Sequence, residues 1–404
     1  MTIRADVLVV GAGPAGSAAA TTLARARRSV VVIDKSRFPR DKICGDGVTA
    51  GALPLLEDLG VEPAAIPSWN VVDDVHVASP TGRVSTFSFP SGRGTFAVAA
   101  RRVELDAAIL LTARAAGATI YEGCSLESAR DDGDVITARV HGLGEVRARY
   151  VIGADGMWSP LRKCLGVSVP GYRGDSHAFR QYLRGVAEPA RRDLWVWFEP
   201  DLLPGYAWSF PLGDGAVNVG FGIHRRGGGI GVQQMAEVWR TLLQRPAIAS
   251  VLGTGWATEG PHRAWPIPAR VDRVSLTIGR AFFVGDAAAA SDPMSGEGIG
   301  QAMATAIAAA GAIIAAGPND PGTATSSYER EVRRGLVRDH RLAERLVGLL
   351  SHPRGADLAV RLAGATPWTR RNFARWLFED YPRAVLATPH RWHRAMFTGP
   401  GSYR

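Results

Sequence analysis

The sequence predicts an α/β fold, α+β overall, for a chain of 404 residues. Three observations support this prediction. The chain opens with the pattern of a strand, a glycine-rich turn, a helix and a second strand. Its middle part is rich in alternating and aromatic residues, and residues 328–404 are helical in pattern and rich in arginine. We therefore expect an N-terminal α/β domain, an inserted antiparallel β-sheet domain and a C-terminal helical region.

The first 33 residues have the pattern of a βαβ unit. Residues 5–10 and 29–33 are rich in valine, which is typical of buried strands. Between them, residues 11–16 are rich in glycine and residues 17–27 in alanine, which predicts a tight turn followed by a helix. A helical crossover of this kind favours a parallel sheet.

The middle of the chain indicates antiparallel strands. Residues 206–212 and 216–222 flank Asp214-Gly215, a pair that favours a hairpin turn. Residues 275–284 predict a strand that returns to the first domain. The predicted domains are residues 1–70, 100–165 and 273–327 for the first, 71–99 and 166–272 for the β-rich second, and 328–404 for the helical region.

The composition indicates a globular protein with a large core, since 46% of the residues are hydrophobic and 21% are charged. The three cysteines, Cys44, Cys124 and Cys164, are odd in number and lack metal-ligand spacing. We therefore expect a reduced, cytoplasmic protein without disulfides and without a metal site. Residues 298–317 are uncharged and rich in alanine, and their four glycines favour a buried core helix over a transmembrane span.

The positive charge is concentrated near the C-terminus. The formal net charge is +9, and residues 328–404 hold 15 arginines against 7 acidic residues. The same segment carries aromatic residues such as Trp368 and Trp376. Two interpretations stay open for it: a solvated helical surface, or peripheral contact with an anionic membrane. No nucleic-acid-binding module is recognisable, so nucleic acid is not an expected partner.

The glycine-rich turn has the chemistry of a dinucleotide site. Gly11, Gly13 and Gly16 fit the spacing GxGxxG directly after a strand and at the start of a helix. The first glycine permits a tight turn, the second lets the backbone approach a pyrophosphate, and the third allows close helix–strand packing. Asp34, 18 residues after Gly16, can accept hydrogen bonds from ribose hydroxyl groups. The motif predicts a Rossmann-like domain without distinguishing FAD from NAD(P).

Two later segments carry further site chemistry. Asp155-Gly156 follows a buried strand, and Gly285-Asp286 and residues 292–299 precede the alanine-rich helix. Asp286 can hold the hydroxyl groups of a ribityl chain. The N-terminus of the helix that follows can stabilise negative charge on a reduced flavin.

In this order, the three motifs resemble those of the glutathione-reductase-type flavoproteins, and specifically the hydroxylase-like branch. The resemblance implies one FAD in an extended form, with Arg102 at a helix start near its phosphates. Residues 38–47, 204–213 and 295–299 narrow the resemblance to the geranylgeranyl reductase family, over essentially the whole chain. The cofactor-binding residues expected on this basis are Gly11, Gly13, Pro14, Ala15, Gly16, Asp34, Lys35, Arg40, Cys44, Gly45, Arg102, Asp155, Gly285, Asp286, Pro293, Gly296, Gly298 and Ile299.

An aromatic strand is the candidate substrate wall. Tyr206, Trp208 and Phe210 alternate, so they share one face of a strand and suit an apolar or planar ligand. In the resembled family this strand lines the substrate cavity; the alternative is an aromatic stripe that faces the core. Trp195 and Trp197 also alternate, and either widen the wall or pack in the core.

Cys44 is the candidate catalytic residue, because the resembled family places its Cys-Gly-Asp loop against the flavin. Its thiol can act as a redox group or a proton donor, and we expect Arg40 and Lys42 to lower its pKa. The alternative is a small residue selected for packing. Residues 227–231 are glycine-rich, but Val232 stands where GxGxxG requires glycine. We therefore interpret them as a flexible loop and expect no separate NAD(P)H domain.

Three functions are compatible with these motifs. The first is an FAD-dependent reductase of carbon–carbon double bonds in an isoprenoid. The second is an FAD-dependent monooxygenase of an aromatic, indole-like or terpenoid compound, which Ala289 disfavours because many hydroxylases have a histidine there. The third is a flavin-binding sensor or scaffold. The expected substrate is small and apolar or aromatic, the electron donor is NAD(P)H, a reduced flavin or ferredoxin, and the oligomeric state stays open.

Overall fold

The computed structural model describes residues 2–225, 231–392 and 398–404, so the glycine-rich segment at 227–230 lies outside the described residues. The strands are β1 (Thr2–Val10), β2 (Val30–Asp34), β3 (Gly47–Val48), β4 (Asn70–Val71), β5 (Asp74–Ala78), β6 (Val84–Ser88), β7 (Val98–Ala99), β8 (Thr119–Glu122), β9 (Leu126–Asp131), β10 (Ile136–Val140), β11 (Gly144–Gly153), β12 (Ser176–Arg184), β13 (Leu194–Trp197), β14 (Ala207–Pro211), β15 (Ala216–His224), β16 (Ala257–Ile267), β17 (Thr277–Ile278) and β18 (Ala281–Phe283). The α-helices are α1 (Pro14–Arg25), α2 (Leu53–Leu59), α3 (Arg102–Ala115), α4 (Pro160–Cys164), α5 (Glu188–Arg192), α6 (Met235–Leu242), α7 (Pro246–Leu252), α8 (Ile299–Ala316), α9 (Pro321–Arg334), α10 (Leu336–Leu350), α11 (Pro353–Ala363) and α12 (Pro367–Leu377).

The first sheet has a parallel core with the strand order β8-β2-β1-β11-β18. The antiparallel strands β17, β10 and β9 extend it. Because β1, β2 and β11 are parallel, their carboxyl ends meet at one edge, where the chain continues into Gly11, Asp34 and Ala154. Open α/β sheets bind their ligands outside this edge. The predicted α/β fold is confirmed.

The second sheet has the strand order β16-β12-β15-β14-β13-β5-β6 and is antiparallel except for the pair β13–β5. The hairpin predicted at Asp214-Gly215 is confirmed, since β14 and β15 pair across it and Gly215 has a φ of +79°. β5 and β6 join this sheet from a segment that precedes α3. A third, smaller sheet contains β3, β7 and β4.

Two predicted elements differ from the structure. α1 begins at Pro14, inside the predicted turn, because proline has no N–H to satisfy and fits the first position of a helix. The strand predicted at residues 275–284 is instead two short antiparallel strands, β17 and β18. The chain reverses between them at Gly279, whose φ is +53°, a conformation that favours glycine.

α8 packs against α1 and α9 in the core, as predicted for residues 298–317. By length and composition it is the one helix among the described residues that would suit a membrane span, yet more than half of it is buried inside the protein. The C-terminal helices reach the second sheet. α12 packs on β6, and the rings of Phe87 and Phe373 lie 4.8 Å apart.

Candidate active site

One cavity of about 940 Å³ joins three parts of the fold. Its walls are the loops at the carboxyl edge of the first sheet, the strands of the second sheet, and the helices α10, α11 and α12. Among the predicted site residues, Gly16, Trp195 and Trp197 lie outside the lining. The predicted residues that line the cavity are Gly11, Gly13, Pro14, Ala15, Asp34, Lys35, Arg40, Cys44, Gly45, Arg102, Asp155, Tyr206, Trp208, Phe210, Gly285, Asp286, Pro293, Gly296, Gly298 and Ile299.

The turn after β1 is glycine-rich for two different reasons. A Cβ on Gly11 would lie 2.3 Å from the carbonyl oxygen of Ala154, and one on Gly16 would lie 1.7 Å from that of Gly11, so the fold itself requires both glycines. Gly13 has an extended backbone, and a Cβ there would meet only Arg40, at 3.4 Å. A side chain at Gly13 would therefore fit the fold and lie beside the Arg40 guanidinium at the N-terminus of α1, which has no side-chain cap.

The carboxylate of Asp34 links this turn to the end of β2 through hydrogen bonds. Its two carboxylate oxygens accept hydrogen bonds from the backbone N–H groups of Ala12 and Ser36, each at 2.7 Å. Asp34 also lines the cavity, and each carboxylate oxygen can accept a second hydrogen bond. The residue predicted to contact ribose is thus held rigidly beside the turn.

Two basic side chains share one acidic partner at this end of the cavity. Arg40 and Arg102 both pair with the buried carboxylate of Asp106, at 2.9 and 2.6 Å. Two guanidinium groups therefore face one carboxylate, and the charge left over is positive. Lys35 and Lys42 also line the cavity. An excess of this kind suits a pyrophosphate group.

Asp155 supplies an unused hydrogen-bond acceptor. Its Oδ2 accepts a hydrogen bond from the N–H of Leu161 at 2.8 Å, whereas its Oδ1 is buried without a partner among the described residues. Burial raises the pKa of Asp155 to about 6. A buried acceptor without a partner is costly, so the Oδ1 of Asp155 is available to a ligand in the cavity.

The predicted aromatic wall is present and faces the cavity. Ring centroids lie 6.0 Å apart for Tyr206 and Trp208 and 6.1 Å apart for Trp208 and Phe210. The hydroxyl of Tyr206 donates a hydrogen bond to the carbonyl oxygen of Ser295. This bond joins the wall on the second sheet to the loop that precedes α8.

Trp195 and Trp197 do not extend this wall. The alternation of β13 places Leu194 and Val196 in the cavity lining and directs the two tryptophans away from it. Trp195 stacks on His76 at 4.2 Å, and Trp197 is buried in the core of the second sheet. Of the two alternatives, packing is the one observed for this pair.

A buried network positions the loop of Cys44. Asn218 donates hydrogen bonds to the carbonyl oxygen of Cys44 at 2.8 Å and to Asp46 at 2.9 Å, and accepts one from the indole of Trp208 at 3.0 Å. Tyr182 donates to Asp46 at 2.6 Å. The network thereby fixes the thiol loop relative to the aromatic wall.

The prediction that basic neighbours lower the pKa of the Cys44 thiol is wrong. Burial raises the pKa of the Cys44 thiol, and the guanidinium of Arg102 opposes this increase without reversing it. The sequence suggested that Arg40 and Lys42 would lower that pKa. The thiol therefore keeps its proton at neutral pH, a state suited to donating a proton and unsuited to nucleophilic attack.

A cluster of buried charges beside the cavity was not predicted. Arg383 lies 3.4 Å from both Asp292 and Glu379, and Gln301 donates to Glu379 at 2.8 Å. Glu297, which lines the cavity, lies on the same loop as Asp292. Burial raises the pKa of Glu379 to about 8 and that of Glu297 to about 7, so at neutral pH Glu379 is mainly protonated and Glu297 is partly protonated.

The C-terminal helices form the far end of the cavity, which was also not predicted. The arginine content of residues 328–404 predicts a charged outer surface. It gives no information on the inner faces of these helices, which are apolar. The lining residues from this region are Leu346, Leu349, Leu350, Ala359, Val360, Phe373, Trp376, Leu377 and Phe378.

Comparison with known proteins gives a consistent assignment. Residues 4–201 match the protein family described as FAD binding domain. The chain is 33% identical to the menaquinone reductase of Mycolicibacterium smegmatis, over 88% of this chain and 86% of that protein. It is also 33% identical to digeranylgeranylglycerophospholipid reductase 1 of Methanopyrus kandleri, over 74% of this chain and 77% of that protein.

A solved structure supports the same fold. The crystal structure of a geranylgeranyl bacteriochlorophyll reductase-like protein from Thermoplasma acidophilum matches with a TM-score of 0.81 at 22% identity, covering 96% of this chain and 100% of that one. The chain belongs to the geranylgeranyl reductase family of FAD-dependent oxidoreductases. It is therefore an enzyme, and its cofactor is FAD.

The cavity of this geranylgeranyl reductase family member fits FAD at the edge of the first sheet. The space beside Gly13, the uncapped N-terminus of α1 and the basic excess from Arg40 and Arg102 would hold the pyrophosphate. Asp34 would hold the ribose, and Asp286 would hold the ribityl hydroxyl groups. The partnerless Oδ1 of Asp155 is an acceptor that the cofactor would satisfy.

The first prediction separates binding from folding at the glycine turn. Gly13→Val should lower FAD affinity by about 100-fold, or ~2.7 kcal/mol, because the side chain occupies the pyrophosphate position. The melting temperature of the FAD-free protein should change little. Flavin fluorescence titration and thermal unfolding measure the two effects. Gly311→Val, on the exposed side of α8 with nothing nearby, is the matched control; equal FAD affinity in both variants contradicts the assignment.

The second prediction concerns the buried acids. Because burial raises the folded-state pKa of Glu379, the native state binds a proton that the unfolded state releases. The free energy of unfolding should therefore fall as the pH rises through that raised pKa, and the fall should be smaller in Glu379→Gln. Urea unfolding at about pH 5 and about pH 9 measures the difference. Glu331→Gln, at an exposed site on α9, should behave as wild type.

Proposed function

We propose that this enzyme uses FAD to reduce carbon–carbon double bonds in the isoprenoid chain of an apolar lipid. The observation that carries the proposal is the single cavity that runs from the FAD edge, past the aromatic wall, to the inner faces of α10, α11 and α12. A cavity that continues past the residues expected to hold FAD to an apolar far end suits a long hydrocarbon chain. The remote part of such a chain supplies binding energy that positions one double bond at the reacting end.

The names of the relatives agree with an isoprenoid substrate for this chain. By their names, the two reductases compared above act on menaquinone and on a digeranylgeranyl lipid. Both molecules carry isoprenoid chains. A substrate of the same class for this chain explains why its cavity extends well beyond the residues that would hold FAD.

Reduced FAD, when bound, supplies a hydride for the double bond. The chain's own residues orient the alkene, exclude water and provide the balancing proton. Tyr206, Trp208 and Phe210 form a rigid apolar wall along which a chain can lie. The Cys44 thiol and the Glu297 carboxyl both line the cavity, and burial raises the pKa of both, so the thiol keeps its proton and the carboxyl is partly protonated at neutral pH. Either group can deliver that proton to the second carbon.

The third prediction tests the reaction directly. Enzyme whose FAD has been reduced chemically should, without oxygen, reoxidise when a polyprenyl alcohol is added, which has no quinone ring to accept the electrons, and the isoprenoid chain should gain two hydrogens. Chemical reduction makes this result independent of the natural electron donor. Absorption spectroscopy follows the flavin, and mass spectrometry follows the product. A product that forms only with oxygen and gains one oxygen atom would establish the monooxygenase instead.

The fourth prediction tests the length of the cavity. Ala359→Phe places a ring in the lining on α11 and shortens the far end. We expect turnover of a long isoprenoid chain to fall about tenfold, while a short chain of one or two units is reduced at the wild-type rate. Ala365→Phe, at an exposed position after α11, is the control. Equal losses for short and long chains in Ala359→Phe would show that the chain does not extend to α11.

A further inference from the structure

The cavity opens to solvent beside the C-terminal helices. Leu349 lines the cavity and is also 48% exposed, so it lies at the mouth. Its Cδ1 atom is 3.2 Å from the position that a Cβ on Gly355 would take, which places it against the first turn of α11. Ala359, one turn further along α11, lines the cavity again. α11 therefore forms one side of the mouth.

The outer face of α11 is apolar and basic at once. Val360 and Ala363 pack into the core, whereas Leu358 and Leu362 are 39% and 59% exposed. The two leucines are four residues apart and lie on one face. Arg354 and Arg361 are exposed on that same face. Adjoining exposed apolar side chains, unlike single ones, are typical of an interaction surface.

The exposed charges around the mouth are mainly basic, with Asp357 as the acidic side chain on α11. Arg345, Arg354 and Arg361 are exposed and form no salt bridge with another residue of the described ranges. Asp357, the acid on α11, accepts a hydrogen bond from Ser79 at 2.7 Å and is thus turned toward the second sheet. We call Leu349, Leu358, Leu362, Arg345, Arg354 and Arg361 the mouth patch.

We propose that the mouth patch docks on the surface of an anionic phospholipid membrane, so that a lipid chain enters the cavity from the bilayer. Exposed leucines beside arginines match an interface of acyl chains and anionic headgroups. A second copy of the chain is a poorer partner, because a two-fold contact would bring the arginines of both copies together while the carboxylate of Asp357 is already bound by Ser79. The direction of substrate entry rests on the proposed function, whereas docking itself does not.

The fifth prediction is a vesicle-binding experiment with the full, FAD-loaded chain. The protein should sediment with vesicles of equal parts phosphatidylcholine and phosphatidylglycerol, and should stay in solution with phosphatidylcholine alone. Arg354→Gln with Arg361→Gln should lower the partition coefficient about 30-fold. Leu358→Glu with Leu362→Glu should abolish binding. The matched controls are Leu111→Glu on α3 and Arg139→Gln on β10, both at exposed sites away from the mouth, and both should bind as wild type.

Several results would overturn the docking surface. They are no sedimentation at low salt, unchanged binding in the double-leucine variant, or a wild-type dimer that the leucine substitutions dissociate. Reduction of a short alkene is measured on the same samples, so that failure of the docking proposal can be distinguished from failure of the proposed reductase activity. Alkene reduction without vesicle binding refutes docking and leaves the reductase in place. Vesicle binding without any alkene reduction refutes the reductase and supports docking.

Discussion

The site depends on the close contact between the turn after β1 and the end of β11. Gly11 and Gly16 leave no room for a side chain, so the backbone of the turn lies directly against Ala154 and against its own helix. This contact brings the N-terminus of α1, Asp34 on β2 and Asp155 after β11 to one edge of the sheet. Residues more than 100 positions apart thereby meet at one end of the cavity.

A second constraint joins the C-terminal helices to that edge. Arg383 is buried between Asp292 and Glu379, and Tyr206 donates to the backbone of Ser295. Burying charge is unfavourable unless each group is paired, so the tail, the loop before α8 and the second sheet hold one relative arrangement. The polar contacts lie around the cavity and leave its far end apolar. One continuous cavity can thus hold a charged dinucleotide at one end and a hydrocarbon at the other.

The sequence was most informative where chemistry is local. GxGxxG with Asp34, the Asp214-Gly215 hairpin and the alternation of Tyr206, Trp208 and Phe210 each depend on neighbours within one or two elements. The Cys44 thiol was misjudged because basic neighbours in sequence do not reveal how deeply a group is buried. Trp195 and Trp197 share the alternation of the wall, and which face of a strand meets a cavity depends on the rest of the sheet. The cluster of Asp292, Glu379 and Arg383 joins segments that are distant in the sequence, and no local sequence pattern predicts such a contact.

The central claim is that FAD and a long apolar chain share one cavity, with the chain running from the aromatic wall to α11. A crystal structure of the enzyme with FAD and a polyprenyl lipid bound tests it most directly. We predict that one double bond lies between the flavin and Trp208, and that the remainder of the chain follows the wall toward Ala359 and Leu349. A lipid bound elsewhere, or an aromatic compound that fills the space at Trp208 and leaves α11 without contact, would contradict the claim.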